Sequence, residues 1–257
     1  MADAPLDILI VSQMYPGPAD PDLGVFVRGQ EQALRARGNH VRVVAVTRRR
    51  GGMFKHLSFA VRAVATILLR RPDVVYAHFL APAGVLAALA CKLLPRTGLV
   101  VVAHGMDVRN IGTRRGVARA MRLLARRADR VVAVSRFLAD DLEARVPELA
   151  GRVHVIDAGV DVEARFTPGL HRDAQLRLGD RWSAAADGTA FLFVGSLDER
   201  KNVLRLVEAW ERIGSGSLTL VGDGPLREQL TDRPGVHLIG RVPHDEVVTW
   251  MRAAEVL

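Results

Sequence analysis

The chain has 257 residues and a net charge of +8, carried by 33 arginines and only three lysines, Lys55, Lys92 and Lys201. That length holds one large domain or two modest ones, each with room for a core. Hydrophobic residues at 49% and charged ones at 25% exclude disorder, collagen and coiled coil, and the single cysteine, Cys91, excludes an intrachain disulfide framework and fits a reducing compartment.

In chain order, the opening residues carry no basic n-region before the apolar run 8–11, so no signal peptide is expected. The pattern predicts strands over 7–11, 40–46, 73–77, 99–103, 130–134 and 153–156. Several are unbroken β-branched runs, as in strands of a parallel sheet buried on both faces. Helices are expected over 24–37, 55–69, 82–94, 116–127 and 136–145. The longest apolar stretches, 61–69 and 81–94, fall short of the roughly 20 residues of a spanning helix, so the expectation is a soluble, cytoplasmic chain.

A looser stretch rich in Gly, Asp and Pro follows, and residues 169–188 read as a connector. Then the rhythm restarts, with strands at 190–194, 217–221 and 236–239 and helices at 202–213, 225–230 and 244–254. Glu255-Val256-Leu257 reads as the opening of a further strand. Strand–helix alternation predicts an α/β fold of two units, complete over 1–168 and incomplete over 189–257. Residues 1–168 hold 25 basic and 15 acidic side chains; the rest hold 11 and 13. A basic first part points to an anionic partner such as a phosphorylated substrate or a membrane surface, against the plainer reading of a solvated arginine-rich face. With two tyrosines and no aromatic–basic interleaving, nucleic acid is not an expected partner.

Ligands of open α/β sheets sit outside the carboxyl ends of the strands. After the first strand, Gly24 stands where a backbone approaches an anion at a helix N-terminus, or where a turn and cap are needed. After the fourth comes His104-Gly105-Met106-Asp107, with Asp107 near enough in sequence to partner His104. Ser135 is placed to cap the helix after the fifth strand. In the second unit, Gly195-Ser196 leads to Arg200-Lys201-Asn202, a lysine before a helix in a chain that otherwise uses arginine, an arrangement suited to phosphoryl oxygens. Gly222-Asp223-Gly224-Pro225 is a second glycine-flexed strand-to-helix turn. No metal-ligand cluster is visible.

The order Tyr15-Pro16, Gly24-Val25-Phe26, His104 to Asp107, Val134-Ser135, Gly159-Val160-Asp161, Gly195 with Lys201-Asn202, Val221 to Pro225, and Gly240 resembles the family 4 retaining glycosyltransferases from Ile8 to the last residue. His78-Phe79-Leu80-Ala81-Pro82-Ala83-Gly84 looks like members that build cell-surface polysaccharides. The resemblance implies a GT-B fold of two facing Rossmann-like domains. It implies a nucleotide-sugar donor, a glycan or lipid-linked acceptor and no cofactor. His104 and Lys201 would carry catalysis, His104 beside the transferred sugar and Lys201 on the donor diphosphate. Gly24, Gly195, Ser196, Arg200, Gly222, Asp223, Gly224, Gly240, Arg241 and Val242 would join Lys201 in binding the donor.

Two departures stand out. Ser196 occupies a position where the family often has arginine, with Arg200 as the nearest compensation. The chain ends ahead of the Glu-x7-Glu segment that the family carries, so the second domain reads as truncated. The alternatives left standing are a non-catalytic fragment that binds nucleotide or membrane, and a sugar-nucleotide epimerase sharing the architecture. Arg115, Arg119, Arg122 and Arg126 recur at helical spacing opposite Val117, Met121, Leu124 and Ala128, and Arg48-Arg49-Arg50 with Lys55 precede an apolar helix. Both features mark an anionic membrane surface on the inner face of the plasma membrane as a further expected partner.

Overall fold

The computed structural model describes residues 4–111, 115–182 and 188–257. The readings placed on the first three residues, on the Arg115 side chain and on 183–187 of the connector lie outside them. The chain divides into two compact units, Met1–Gly159 and Val160–Leu257.

In the first unit, six strands form one parallel sheet: β1 (Asp7–Ser12), β2 (His40–Ala45), β3 (Val74–His78), β4 (Gly98–Ala103), β5 (Arg130–Ala133) and β6 (Val153–Val155), in the order β2-β1-β3-β4-β5-β6. The direction of travel reverses once, between β2 and β3. Right-handed crossovers therefore put α1 (Val25–Ala36) on one face, and α2 (Gly52–Arg70), α3 (Val85–Cys91), α5 (Arg115–Arg127) and α6 (Arg136–Arg145) on the other. Strand alternation follows suit. Ile8 and Ile10 join Val27 and Val41 under α1, while Leu9 and Val11 join the larger core with Phe59, Ile67, Leu124 and Leu142.

The helix expected over 82–94 begins instead with an irregular turn, Leu80–Gly84, in which Phe79 is held at φ 74°. Gly84 is required there. A Cβ would stand 2.9 Å from both Leu124 and Val101, so a larger residue would push the helix off the sheet. A four-residue helix, α4 (Met106–Arg109), was not anticipated; it is too short to show a period. The helix α2 is longer than its apolar stretch suggested. At 19 residues and mean hydropathy 1.3 it is, by length and composition, long and apolar enough to cross a membrane, although Phe59, Ala63 and Ile67 are packed into the core.

The second unit has three parallel strands, β7 (Ala190–Val194), β8 (Ser217–Val221) and β9 (Val236–Gly240), in that order. Val256 pairs with the other edge of β7 through a bridge to Phe191, so the strand onset read at the last residues is present. The helices α8 (Val203–Ile213) and α9 (Arg227–Leu230) cover one face around Trp210, Leu218 and Leu220. On the other face α7 (His171–Leu178) packs with α10 (Val247–Ala253) around Leu192, Val221 and the fully buried Trp250. The stretch read as a connector thus carries a helix of the second unit. Its sequence hid this, because only Ala174 and Leu178 of its eight residues are buried.

Among the described residues three arginines each donate to two or more backbone carbonyls of other chain segments. Arg127 reaches those of Cys91 (3.0 Å), Leu94 (3.3 Å) and Thr97 beyond the end of α3; Arg152 reaches Ala125 and Ala128 (2.8 Å each) at the end of α5; Arg252 reaches Thr167 (2.9 Å) and Arg165 (3.2 Å).

Candidate functional site

At the carboxyl end of the first sheet, Gly24 is the N-cap of α1 with φ 67°, and no side chain caps the helix. Its first N–H groups are left for an external acceptor. A Cβ at Gly24 would stand 2.8 Å from the Met14 backbone, so the position demands glycine twice over. Two residues on, Phe26 lies 4.8 Å, centre to centre, from the His104 ring, and Phe79 lies 4.7 Å from it.

His104 Nε2 is 3.1 Å from His78 Nδ1. The two ring planes are within 17° and their centres 5.3 Å apart, so the rings meet edge to edge through this contact. His78 is fully buried, and among the described residues its Nε2 has no hydrogen-bond partner. Burial, reinforced by the neighbouring His104, pushes the His78 imidazole down to about 3. Burial also lowers His104, with Asp107 pulling the other way.

Asp107 does not bond to the His104 ring, as its place in the sequence suggested. Its carboxylate accepts the backbone N–H groups of His104 (3.1 Å), Gly105 (2.9 Å) and Val108 (3.2 Å), and that of Leu80 (2.9 Å), tying the loop after β4 to the loop after β3. Ser135 caps α6 by accepting from Leu138 N–H at 3.2 Å. Arg49 is spent on Asp20 and Asp22 (2.9 Å each), which removes it from the basic cluster read over 48–50.

In the second unit the loops after all three strands are stitched by backbone hydrogen bonds. Gly195 N–H donates to Val221 (2.9 Å), Leu197 N–H to Asp223 (3.1 Å), Gly222 N–H to Gly240 (2.9 Å) and Leu226 N–H to Leu197 (3.0 Å). Gly222, at φ 146°, lies so close to the Gly195 carbonyl that a Cβ would fall 1.7 Å from that oxygen; at Gly224 it would fall 2.3 Å from the Leu197 oxygen. Gly195, Gly222, Gly224 and Gly240 are therefore brought together, with Asp223 accepting from Gly224 N–H (2.9 Å) and Arg241 and Val242 following directly.

Asp198 organises the loop that carries the lysine. Its carboxylate accepts from Ser196 Oγ (2.8 Å), Arg200 (2.7 Å) and Lys201 N–H (3.2 Å), and the Arg200 guanidinium, then the Ser196 hydroxyl, hold it down to about 2. Arg200 is thereby engaged within its own loop. Lys201 ends the single 3₁₀ turn Glu199–Lys201 ahead of α8, and among the described residues its ammonium has no ion-pair partner. Sequence reasoning missed Asp198, Phe26, Phe79 and the pairing of His78 with His104. The last had one available signal: His78 ends β3 and His104 directly follows β4, its neighbour in the sheet. Among the described residues no group of three or more His, Cys, Asp or Glu is placed to hold a metal ion.

Two parallel α/β units in succession, each with its glycine-turned and charged loops at the carboxyl ends of the strands, define a protein of the GT-B class. The pattern of Glycosyltransferase Family 4 matches residues 18–164 and that of Glycosyl transferases group 1 matches 188–257, and the chain belongs to glycosyltransferase family 4. TuaC of Bacillus subtilis (strain 168), named as a teichuronic acid biosynthesis glycosyltransferase, is 29% identical over 188 residues. That match covers 72% of this chain and 46% of TuaC, so the chain spans about half the length of this relative. In fold, the sucrose-phosphate synthase of Thermosynechococcus elongatus superposes over 98% of this chain and 74% of its own, with TM-score 0.71 and 20% identity. Anabaena Alr3699/HepE in complex with UDP and glucose does so over 98% and 73%, with TM-score 0.68 and 19% identity.

Proposed function

We propose that the protein transfers a sugar, with retention at the anomeric carbon, from a nucleotide-sugar to a glycan or lipid-linked acceptor in the biosynthesis of cell-surface polysaccharide or glycolipid. The observation that carries this reading is the Lys201 loop. Among the described residues the Lys201 ammonium has no ion-pair partner, and its loop after β7 is joined by backbone hydrogen bonds to the glycine-turned loop after β8. Naming of TuaC for teichuronic acid biosynthesis and the UDP complexes of HepE support it.

In this reading Lys201 stabilises the negative charge that grows on the departing diphosphate. Ser196 supplies a hydroxyl where a guanidinium is absent, and Arg200 acts mainly through Asp198. Gly222, Asp223, Gly224, Gly240, Arg241 and Val242 line the nucleotide. In the first unit the uncapped start of α1 at Gly24 suits a phosphate oxygen, and His104 a sugar hydroxyl. The nucleotide-sugar is a substrate, and the reading calls on no cofactor.

The same proposal includes peripheral attachment to the cytoplasmic face of an anionic membrane. Met53 and Phe54 on α2 are 84% and 81% exposed and Leu93 beyond α3 is 72% exposed. Lys92, next to Leu93 in the chain, lines a cleft of about 320 Å³ with Arg119, Arg122, Leu123 and Arg126. Each well-placed basic residue adds about 1 kcal/mol of attraction to an anionic surface. Sedimentation with anionic but not with neutral vesicles is expected, and equal sedimentation with both rejects attachment.

Titration of the chain with UDP-glucose, followed by an assay for UDP release, tests the main reading, and the anomeric proton signal of the product reports retention. Binding with no turnover on any acceptor leaves a binding role. No binding of UDP-glucose or any other nucleoside diphosphate sugar rejects the reading.

A further inference from the structure

His104 cannot be understood without the ring beside it. The His78–His104 contact joins two nitrogens at 3.1 Å with nearly coplanar rings, so a single proton lies between them, on one nitrogen or the other. Two neutral arrangements satisfy that contact. If His104 Nε2 carries the proton, His78 must carry its own on Nε2, where the buried nitrogen has no partner; that strands an N–H donor inside the protein. If His78 Nδ1 carries it, the orphan at Nε2 is a lone pair. Stranded buried N–H donors are the rarer of the two in folded proteins.

Resting on the reading of His104 as a sugar contact, we propose that His78 is a positioning residue. Its Nδ1–H donates to His104 Nε2 and fixes His104 in the tautomer whose Nδ1–H is the donor offered to substrate. The surroundings leave little else to set that choice. Tyr76 from β3 faces His78 at 4.9 Å between ring centres and Phe26 at 6.2 Å, while Phe26 and Phe79 flank His104. Tyr76 is itself pushed up to about 12 by burial, and its hydroxyl donates to Gln30 at 2.7 Å rather than to either histidine. Asp107, the nearest carboxylate, is taken up by four backbone N–H groups. Burial keeps both imidazoles neutral near pH 7, so the one shared proton decides what His104 presents.

The proposal also gives a use to the strained backbone at Phe79. A phenylalanine at φ 74° is uncommon, and it puts the Phe79 ring against His104 directly after the His78 strand position. The ring of His104 is thus fixed in orientation by Phe26 and Phe79 and in protonation by His78.

Long-range ¹⁵N–¹H correlation of the histidine-labelled chain, without any substrate, reads the tautomers directly. His104 is expected with a protonated Nδ1 and bare Nε2, and His78 likewise. A His104 protonated at Nε2, or two histidines exchanging tautomers, overturns the proposal. His78→Asn keeps an N–H donor at the Nδ1 position and should preserve the His104 tautomer. His78→Phe keeps the ring shape alone and should release His104 to the Nε2–H form that a free imidazole prefers. An unchanged His104 tautomer in folded His78→Phe also overturns it. If that variant does not fold, the wild-type spectrum and His78→Asn still decide. Because no donor is present, failure here is distinct from failure of the glycosyl-transfer reading, which shows as absent UDP-glucose turnover in a chain with the expected spectrum.

Discussion

The two units finish their strands in opposite ways. In the first, the carboxyl edge of the sheet is a box of side chains: two histidines joined edge to edge, two phenylalanines against them, and one aspartate gathering four backbone amides. In the second, the corresponding edge is made of backbone. Carbonyls and amides of three loops bond to one another across glycines, and Arg200 and Lys201 are exposed. The first construction suits recognition of a neutral, hydroxyl-bearing group by fixed donors and apolar walls. The second suits a polyanion, which needs close access to N–H groups and a mobile cation. One fold is used twice in the chain, with loops built in two different ways.

If that contrast is sound, damage should fall in different places and by different means. The largest stability effect is expected from Gly222→Ala. Its Cβ would fall on the Gly195 carbonyl at a φ of 146°, so strain and overpacking together should cost about 2–5 kcal/mol. Segment-resolved hydrogen exchange should show the loss confined to 160–257, and equal loss of protection in the first unit would break the contrast. Lys201→Ala should leave exchange unchanged and lower turnover of the nucleotide-sugar by about 10²–10³-fold. Full activity would remove Lys201 from the mechanism.

Acid should act on the first unit instead. His78 is held down to about 3 by burial, against about 6.5 for an ordinary imidazole. Below pH 6.5 the unfolded chain therefore binds more protons than the folded one. Stability falls as the pH drops from there towards 3, by up to about 1.4 kcal/mol per pH unit for each histidine kept neutral. The difference between wild type and His78→Phe in urea unfolding from pH 7.5 to 4.5 isolates this share. No pH dependence in that difference would mean that the box is not a neutral pair. The smallest effect, about 1 kcal/mol, is expected of Ser135→Ala, which removes the cap of α6 and nothing from either strand-end construction.

Much of this was readable before any coordinates, and the exceptions have physical reasons. Strands declared themselves because parallel sheets buried on both faces leave unbroken apolar runs, as at Val100-Val101-Val102. The helix α7 stayed hidden because five of its eight residues are polar or charged and no side chain caps it. Candidate positions such as Gly24 and Lys201 could be placed by following the ends of strands. Their partners could not. Asp107 was read as a possible partner of His104 and does accept its backbone N–H, but another of its bonds goes to Leu80, 27 residues distant. Arg200 was read as an open charge because its tie to Asp198 depends on a loop conformation that spacing alone does not reveal.

The chain strongly prefers arginine to lysine. The carbonyl-capping arginines give that preference a structural consequence. A guanidinium presents several N–H groups in a fixed plane, so Arg127 can reach three carbonyls from two of its nitrogens, where an ammonium has donors on a single one. It also keeps its proton at any pH that proteins ordinarily survive. The ends of α3 and α5 are consequently latched by groups that alkali does not switch off, and the first unit meets rising and falling pH with unequal defences: fixed fasteners against base, and a pair of buried imidazoles exposed to acid.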